Sequence, residues 1–526
     1  MNFAARILDA CRAQPQRLAL VAPQWRDGVP AGETRLTYGE LQQQIAGWQQ
    51  ALQAAGFAAG DRVVVLVPPS PALYALMTAL LASGIVPVLI ERGMSRLRIA
   101  QSLRAGGARA VIGDVALLRR WWLFPPLWSR RRYAVDGRGF GLRPLQPATT
   151  VALPVCVDRG ADDHGIITFT SGSTGAPKGA DRTHGSLVAQ HLAIREHWPD
   201  RDDDIDCTCF PVLVLHNLCC GIGTVLPEAD LGAPGRADPA RIAAQLQRER
   251  VTRLSAAPAF LQRLVLHCRT HDIRLPQLRS VIVGGATLSR PLAENCAAVF
   301  PQAHCRVVYG STEAEPIADV DLPELVRDWD AQPGHLVGRP AHAATVAVVD
   351  PAATLRCEAD IGAARRADGT TGEILVAGAH VLRAYLDNPE ATRESKIPRT
   401  GAHAGTVWHR TGDAGFLDAQ GRLWLVGRVK DAVSVDGTAR YTFPLEKAVD
   451  ALPGVERSAL VADTGGRPVL VVAGRIDRAA LQRELARHGF PGARIVAVPA
   501  MPVDGRHNSK IDRPTLRALL AREHPP

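Results

Sequence analysis

Thr168-Phe169-Thr170-Ser171-Gly172-Ser173-Thr174-Gly175-Ala176-Pro177-Lys178-Gly179 gathers five hydroxyl side chains, three glycines and one lysine into twelve residues. Small residues let backbone N–H groups close around an anion, and hydroxyls and an ammonium add directed donors. The composition therefore points to a polyphosphate ligand. A flexible Ser/Gly linker is the plain alternative, but a linker would not follow the strand-like run Gly165–Phe169 or end in Pro-Lys-Gly. The order G-x-x-x-x-G-K-[ST] is absent, so this is not a Walker loop.

Upstream, Val63 to Ile90 carries no charged residue and is long enough to span a bilayer. Pro68-Pro69-Ser70-Pro71, Gly84 and Pro87 punctuate it, however. It reads as strand Val63–Val67, helix Ala72–Ser83 and strand Val86–Ile90, the all-apolar βαβ unit of a buried parallel sheet. An amphipathic helix is expected around Leu41–Ala55, and Pro-rich Val151–Val157 leads into the phosphate stretch. Downstream, Val281–Val283 runs into Gly284-Gly285-Ala286, and Arg306–Val308 runs into Tyr309. Loops at the carboxyl ends of parallel strands are where α/β proteins hold ligands. Residues 371–426 read as a β-rich subdomain, with Glu373–Val376 and Arg422–Val426 its clearest strands, and 431–526 as a compact α+β unit.

Composition narrows the class. A chain of 526 residues implies more than one core. The 46% hydrophobic fraction is ordinary for a globular protein, and the formal charge of +9 reads as a surface excess, with no nucleic-acid partner implied. Only five of the 61 basic Lys and Arg residues are lysines, at 178, 396, 430, 447 and 510. Where lysine persists against arginine, a compact ammonium on a flexible stem is one reason, and chance retention is the reading at Lys396 and Lys447. Ten cysteines include a local group, Cys207, Cys209, Cys219 and Cys220, whose spacing fits no common zinc template and has no matching histidine pair. They read as buried free thiols of a reducing cytoplasm. Met1–Arg6 lacks a charged-then-apolar signal pattern, which agrees with a cytoplasmic location.

The phosphate stretch resembles the signature of the adenylate-forming, AMP-binding enzymes, which include acyl-CoA synthetases, luciferases and peptide-synthetase adenylation domains. Tyr309-Gly310-Ser311-Thr312-Glu313, Thr411-Gly412-Asp413, Gly427-Arg428-Val429-Lys430-Asp431 and Asn508-Ser509-Lys510-Ile511 match further motifs in the family's order. Lys178, Lys430 and Lys510 all fall inside these motifs. The resemblance implies an α/β fold with a large N-terminal domain of stacked layers (1–427), a hinge (428–430) and a small mobile C-terminal domain (431–526). It implies that a carboxylic acid attacks the α-phosphorus of ATP, giving an acyl-adenylate and pyrophosphate. Thr170, Ser171, Gly172, Ser173, Thr174, Gly175 and Lys178 would then hold the β- and γ-phosphates, and Gly284, Gly285 and Ala286 would floor the nucleotide pocket. Tyr309 would pack on adenine beside Gly310 and Ser311, Thr312 would reach the α-phosphate, and Glu313 would bind Mg²⁺. Asp413 would accept from the ribose hydroxyls, Arg428 would assist ribose or phosphate, Lys510 would be catalytic, and Lys430 would mark the hinge.

The acyl side is less determined. Phe210–Asn217 falls where the family places its pocket, with His216 and Asn217 as candidate lining residues. A lone histidine among apolar residues is equally a satisfied core residue. The lack of a cationic residue in Leu213–Gly223 favours a fatty or other apolar acid. Val251–Ile317 is similar to bacterial fatty-acid-activating members, the olefin β-lactone synthetases among them, which adenylate a β-hydroxy fatty acid whose own hydroxyl displaces AMP. Loop Thr438–Phe443, before Pro444 and Glu446, is longer than the family's usual spacing where the thiol acceptor runs. The acceptor therefore stays open among coenzyme A, favoured as the commoner outcome, a carrier-protein pantetheine, and an intramolecular hydroxyl. A nucleotide-sensing scaffold on the same fold is the non-enzyme alternative, against which Glu313, Asp413, Arg428 and Lys510 all stand intact.

Arg119-Arg120-Trp121-Trp122-Leu123-Phe124-Pro125-Pro126-Leu127-Trp128-Ser129-Arg130-Arg131-Arg132 remains outside these motifs. Tryptophans between arginine clusters suit an anionic lipid interface. The alternative is an apolar flap packed on the N-terminal domain.

Overall fold

The computed structural model describes residues 1–26, 28–90, 94–149, 152–169, 177–503 and 510–523. Backbone contacts divide the chain into two compact units. The first holds Met1–Ala256, Ile273–Val281 and Ala379–Glu394, and the second holds Ala257–Asp272, Ile282–Gly378 and Ser395–Pro526.

In the first unit the charge-free run folds as strand Arg62–Leu66, helix Pro71–Ala82 and strand Val86–Ile90. Pro71 opens the helix, and Ser70 caps it by accepting from the Leu73 amide at 3.2 Å. Nearly every side chain of that helix is buried, which removes the need for a polar face. Among the described residues, no helix is long and apolar enough to cross a membrane. The two strands belong to a seven-stranded sheet in the order Arg143–Pro144, Arg131–Ala134, Ala110–Gly113, Arg62–Leu66, Val86–Ile90, His164–Phe169, Gly179–Thr183. Only the last pair is antiparallel, with Phe169 opposite Gly179. The phosphate stretch therefore joins two neighbouring strands. A Cβ on Gly179 would come within 2.9 Å of the Phe169 ring, so this crossing requires glycine.

The helix expected near Leu41–Ala55 spans Tyr38–Ala54, started by a capping box between Thr37 and Glu40. A second sheet of this unit runs Val29–Thr37, Leu18–Arg26, Gly223–Val225, Ile205–Thr208, Arg253–Ala256. Residues 379–394, inside the stretch read as β-rich, belong to the first unit: Leu386 N–H donates to Gly179 O at 2.8 Å.

The second unit carries an antiparallel run of strands His304–Ser311, Ala314–Asp321, His335–Pro340, Leu423–Arg428, Val407–Leu417, Gly372–Ala377 and Thr345–Val349. Gly338, at φ +87°, sits so close to Asp319 O that a Cβ would fall 1.7 Å from it. Residues 433–520 enclose cores of their own, built on Leu445, Leu460, Leu470, Leu481 and Phe490 on one sheet face and Val461, Val471, Leu516 and Leu520 on the other. Buried Arg513 grips both Glu446 oxygens at 2.7 and 2.8 Å, and Arg517 holds Asp431 at 2.8 Å. Removing one partner of such a buried pair costs about 3–5 kcal/mol.

Candidate active site

Three sequence candidates converge in the second unit. Tyr309 sits near the end of strand His304–Ser311, and Asp413 stands opposite Arg428 in the pairing of Val407–Leu417 with Leu423–Arg428. Tyr309 Oη donates to Asp413 Oδ2 at 2.6 Å, and Arg428 Nε lies 2.7 Å from Asp413 Oδ1. The Asp413 amide donates to Thr411 Oγ1 at 3.0 Å, and that hydroxyl donates to Ile374 O at 2.8 Å. Gly412 turns between them at φ +70°, a conformation glycine adopts without strain. The carboxylate is thus fixed from both sides, and each oxygen faces a donor. Burial and the Asp413 charge push the Tyr309 phenol well above its ordinary range, so it remains a donor at neutral pH. Asp413 also raises the Arg428 guanidinium.

Thr312 and Glu313 follow on the turn between strands His304–Ser311 and Ala314–Asp321, where the Glu313 amide donates to Ser311 Oγ at 3.3 Å. Both are half-buried, and the Glu313 charge adds to the field on Arg428. Gly284 ends strand Ser280–Gly284, and Gly285, at φ +90°, and Ala286 follow it. A Cβ on Gly310 would meet Ala314 O at 3.1 Å, which explains a glycine there. Lys510 is exposed beside the bridge Val503–Ile511. Lys430 lies on the 3₁₀ turn Val429–Asp431, and its ammonium is lowered chiefly by desolvation.

In the first unit, Lys178 is half-buried with Nζ 5.3 Å from the Tyr385 ring centroid, within cation–π range. The sequence offered no signal for Tyr385. Thr170, Ser171, Gly172, Ser173, Thr174 and Gly175 lie outside the described residues, as do Asn508 and Ser509.

His216 and Asn217 are both buried on helix Pro211–Cys220. Asn217 Nδ2 donates to Asp206 Oδ2 at 2.9 Å. His216 Nδ1 lies 3.1 Å from His191 Nδ1, and its Nε2 lies 3.5 Å from Cys220 Sγ. One ligand-type atom from each of these three residues falls within 4.8 Å of the others. Of the four cysteines read as lacking a histidine pair, Cys220 thus stands beside one, because His191 arrives on the separate helix His184–His197. Burial holds the His191 imidazole at about 4 and pushes His216 well below its ordinary value, so both are neutral at pH 7.

Loop Thr438–Phe443 borders a cleft of about 420 Å³ lined by Phe416, Val426, Arg440, Tyr441, His488 and Phe490, all within the second unit.

Comparison with known proteins identifies the family. The AMP-binding enzyme family model matches residues 7–386. The chain belongs to that family and is an adenylate-forming ligase; enzymes of the family use ATP. It is 34% identical to an olefin beta-lactone synthetase of Stenotrophomonas maltophilia strain K279a, over 99% of this chain and 98% of that one. A feruloyl-CoA synthase of an Amycolatopsis species is 28% identical over 85% of this chain and 84% of its own. Among solved structures, an amide bond synthetase from Marinactinospora thermotolerans superposes with a TM-score of 0.82 at 22% identity, covering 98% of this chain and 99% of the other, which establishes the fold.

Proposed function

We propose that this protein adenylates a β-hydroxy fatty acid and that the acid's own hydroxyl then displaces AMP, closing a β-lactone. The observation that carries the reading is the end-to-end similarity to an olefin beta-lactone synthetase. In the first step a carboxylate oxygen bonds to the α-phosphorus of ATP while the bond to pyrophosphate breaks. In the second, the β-hydroxyl oxygen bonds to the acyl carbon, its proton passes to solvent, and AMP departs with the electrons of the C–O bond.

Both partners of the first step are anions, so positioned cations and donors supply most of the catalysis. Asp413, with each oxygen already facing a donor, fits a vicinal diol such as ribose. Lys178 and the 170–175 stretch would take the β- and γ-phosphates, and Thr312 the α-phosphate. Lys510 would bridge carboxylate and ribose-phosphate oxygens as charge develops. Glu313 offers the hard oxygen donor that Mg²⁺ prefers, and the ion, when bound, lowers the charge repulsion between the reactants. Neutral His216 supplies no cation to the acyl side, in keeping with an apolar acid. Lys430 and the 428–430 segment would act as the hinge for residues 431–526. A fatty substrate partitions into bilayers, so peripheral lipid contact through 119–132 belongs to the same reading.

A second reading, transfer to coenzyme A, is supported by the feruloyl-CoA synthase relative and by the cleft beside Thr438–Phe443. Incubation with Mg-ATP and either a long-chain fatty acid or its β-hydroxy analogue, with and without coenzyme A, separates the two by mass spectrometry. Lactone and AMP from the hydroxy acid alone support the first. A thioester that forms only with coenzyme A, and no lactone, overturns it. Acyl transfer only to a carrier-protein pantetheine would also overturn it, and no AMP from any acid would leave a nucleotide-sensing scaffold.

A further inference from the structure

The arginine-tryptophan segment divides into two populations in the first unit. Two 3₁₀ turns, Trp121–Leu123 and Pro125–Leu127, fold Leu127 into the core and pack Trp121 and Phe124 against it. The same turns leave Leu123 68% and Trp128 59% exposed, with Trp122 at 44%. Phe140, 79% exposed, joins them from a separate turn: its ring lies edge-on to Trp122 at 6.2 Å, and Trp121 Nε1 donates to Phe140 O at 2.8 Å. Trp128 Nε1 donates to Trp122 O at 2.9 Å, so the indole N–H groups of Trp121 and Trp128 are both satisfied internally.

The arginines divide likewise. Arg130 donates to Leu103 O at 2.7 Å and Ala108 O at 3.1 Å, while Arg132 donates to Leu127 O at 2.6 Å and lies 3.8 Å from the Trp121 ring centroid. These two are braces. Arg119, Arg120, Arg131, Arg138 and Arg143 are exposed and make no ion pair among the described residues. The nearby carboxylates are occupied by backbone: Asp114 accepts from the Leu117 amide at 3.0 Å and Asp136 from the Val115 amide at 2.7 Å.

A set of exposed aromatic and aliphatic tips, flanked along the chain by exposed arginines that make no ion pair among the described residues, matches an interface in which hydrocarbon lies beneath phosphate. We infer that Trp122, Leu123, Trp128 and Phe140 seat this protein on an anionic bilayer, with Arg119, Arg120 and Arg131 on the lipid phosphates. The inference deepens the fatty-acid reading, since the acid would be collected where it is dissolved, but its test does not depend on that reading.

The test is co-sedimentation of the full chain with vesicles of phosphatidylcholine alone or with about one-third phosphatidylglycerol, at about 0.1 M and about 1 M salt, where the screening length falls from about 10 Å to about 3 Å. Binding to the anionic vesicles, weakened by salt, is expected. Trp122→Ser with Trp128→Ser should weaken it at least about tenfold, because the apolar tips supply the insertion. Arg119→Glu, Arg120→Glu and Arg131→Glu together should weaken it about 100-fold or more, at about fivefold for each positive charge lost. Unchanged melting temperatures, and unchanged adenylation of a short water-soluble acid where the wild type shows it, keep misfolding apart from lost binding. Vesicle binding by a protein that adenylates no acid would defeat the proposed function and leave this inference standing. Failure of the wild type to sediment with anionic vesicles overturns it, as does sedimentation that survives the tryptophan changes. A dimer that Leu123→Asp dissociates, without vesicle binding, would assign the face to a second copy and also overturn it.

Discussion

The Tyr309–Asp413–Arg428 constellation and the His191–His216–Cys220 cluster use ionisable groups in opposite ways. In the first, a carboxylate and a guanidinium form an ion pair, each half-buried and held by a named partner, and the carboxylate raises the guanidinium. In the second, burial, with the Arg195 guanidinium adding to it, keeps two imidazoles neutral, and burial together with the neighbouring Asp200 carboxylate raises the Cys220 thiol. Desolvation penalises a charge unless a partner offsets it. The charged constellation suits the hydroxyls and phosphates of a nucleotide; the two imidazoles of the neutral cluster offer no cation to an acid.

The largest expected effect lies on the charged side. Lys510→Ala should slow acid-dependent pyrophosphate exchange by about 10²–10³-fold with ATP affinity nearly intact, the usual scale for one lost transition-state donor. Exchange at the wild-type rate would remove Lys510 from the chemistry.

The neutral side is broken by acid. His184 and His191 both stand at about 4 in the fold because burial disfavours their charged forms, against about 6.5 in the unfolded chain. The unfolded chain therefore binds more protons as pH falls below 6.5. The stability these groups contribute is fully present above that value and is lost towards pH 4, by up to about 3 kcal/mol each. Denaturant melts at pH 7 and pH 5 should show this loss, and His191→Gln should flatten it by one histidine's share. An unaltered slope would mean that His191 is protonated in the fold.

Smaller effects sharpen the contrast. Asp413→Ala should weaken ATP binding by about 10–100-fold, since hydrogen bonds to a charged acceptor are worth about 1.5–3 kcal/mol. Calorimetry showing unchanged affinity would contradict the ribose assignment. Tyr309→Phe removes one neutral donor to that carboxylate, so about a fivefold loss is expected, on the order of 1 kcal/mol. A loss as large as that of Asp413→Ala would mean that the phenol itself meets the ligand.

Sequence alone determined the βαβ unit from Val63 to Ile90, the loop–strand placement of the phosphate stretch, and the roster of charged candidates. Each was legible because the signal was local: apolar runs cut by proline and glycine, or a motif whose residues act from one turn. Tertiary structure decided which side chains are partners. Asp413 and Arg428 meet through strand register, Tyr309 reaches Asp413 from another strand, and His191 reaches His216 from another helix. It also sorted the arginine-tryptophan segment into braces and exposed tips, which composition had left as alternatives. Strand pairing and helix packing bring together residues far apart in the chain, and no local periodicity records which distant group will desolvate or pair with a given charge.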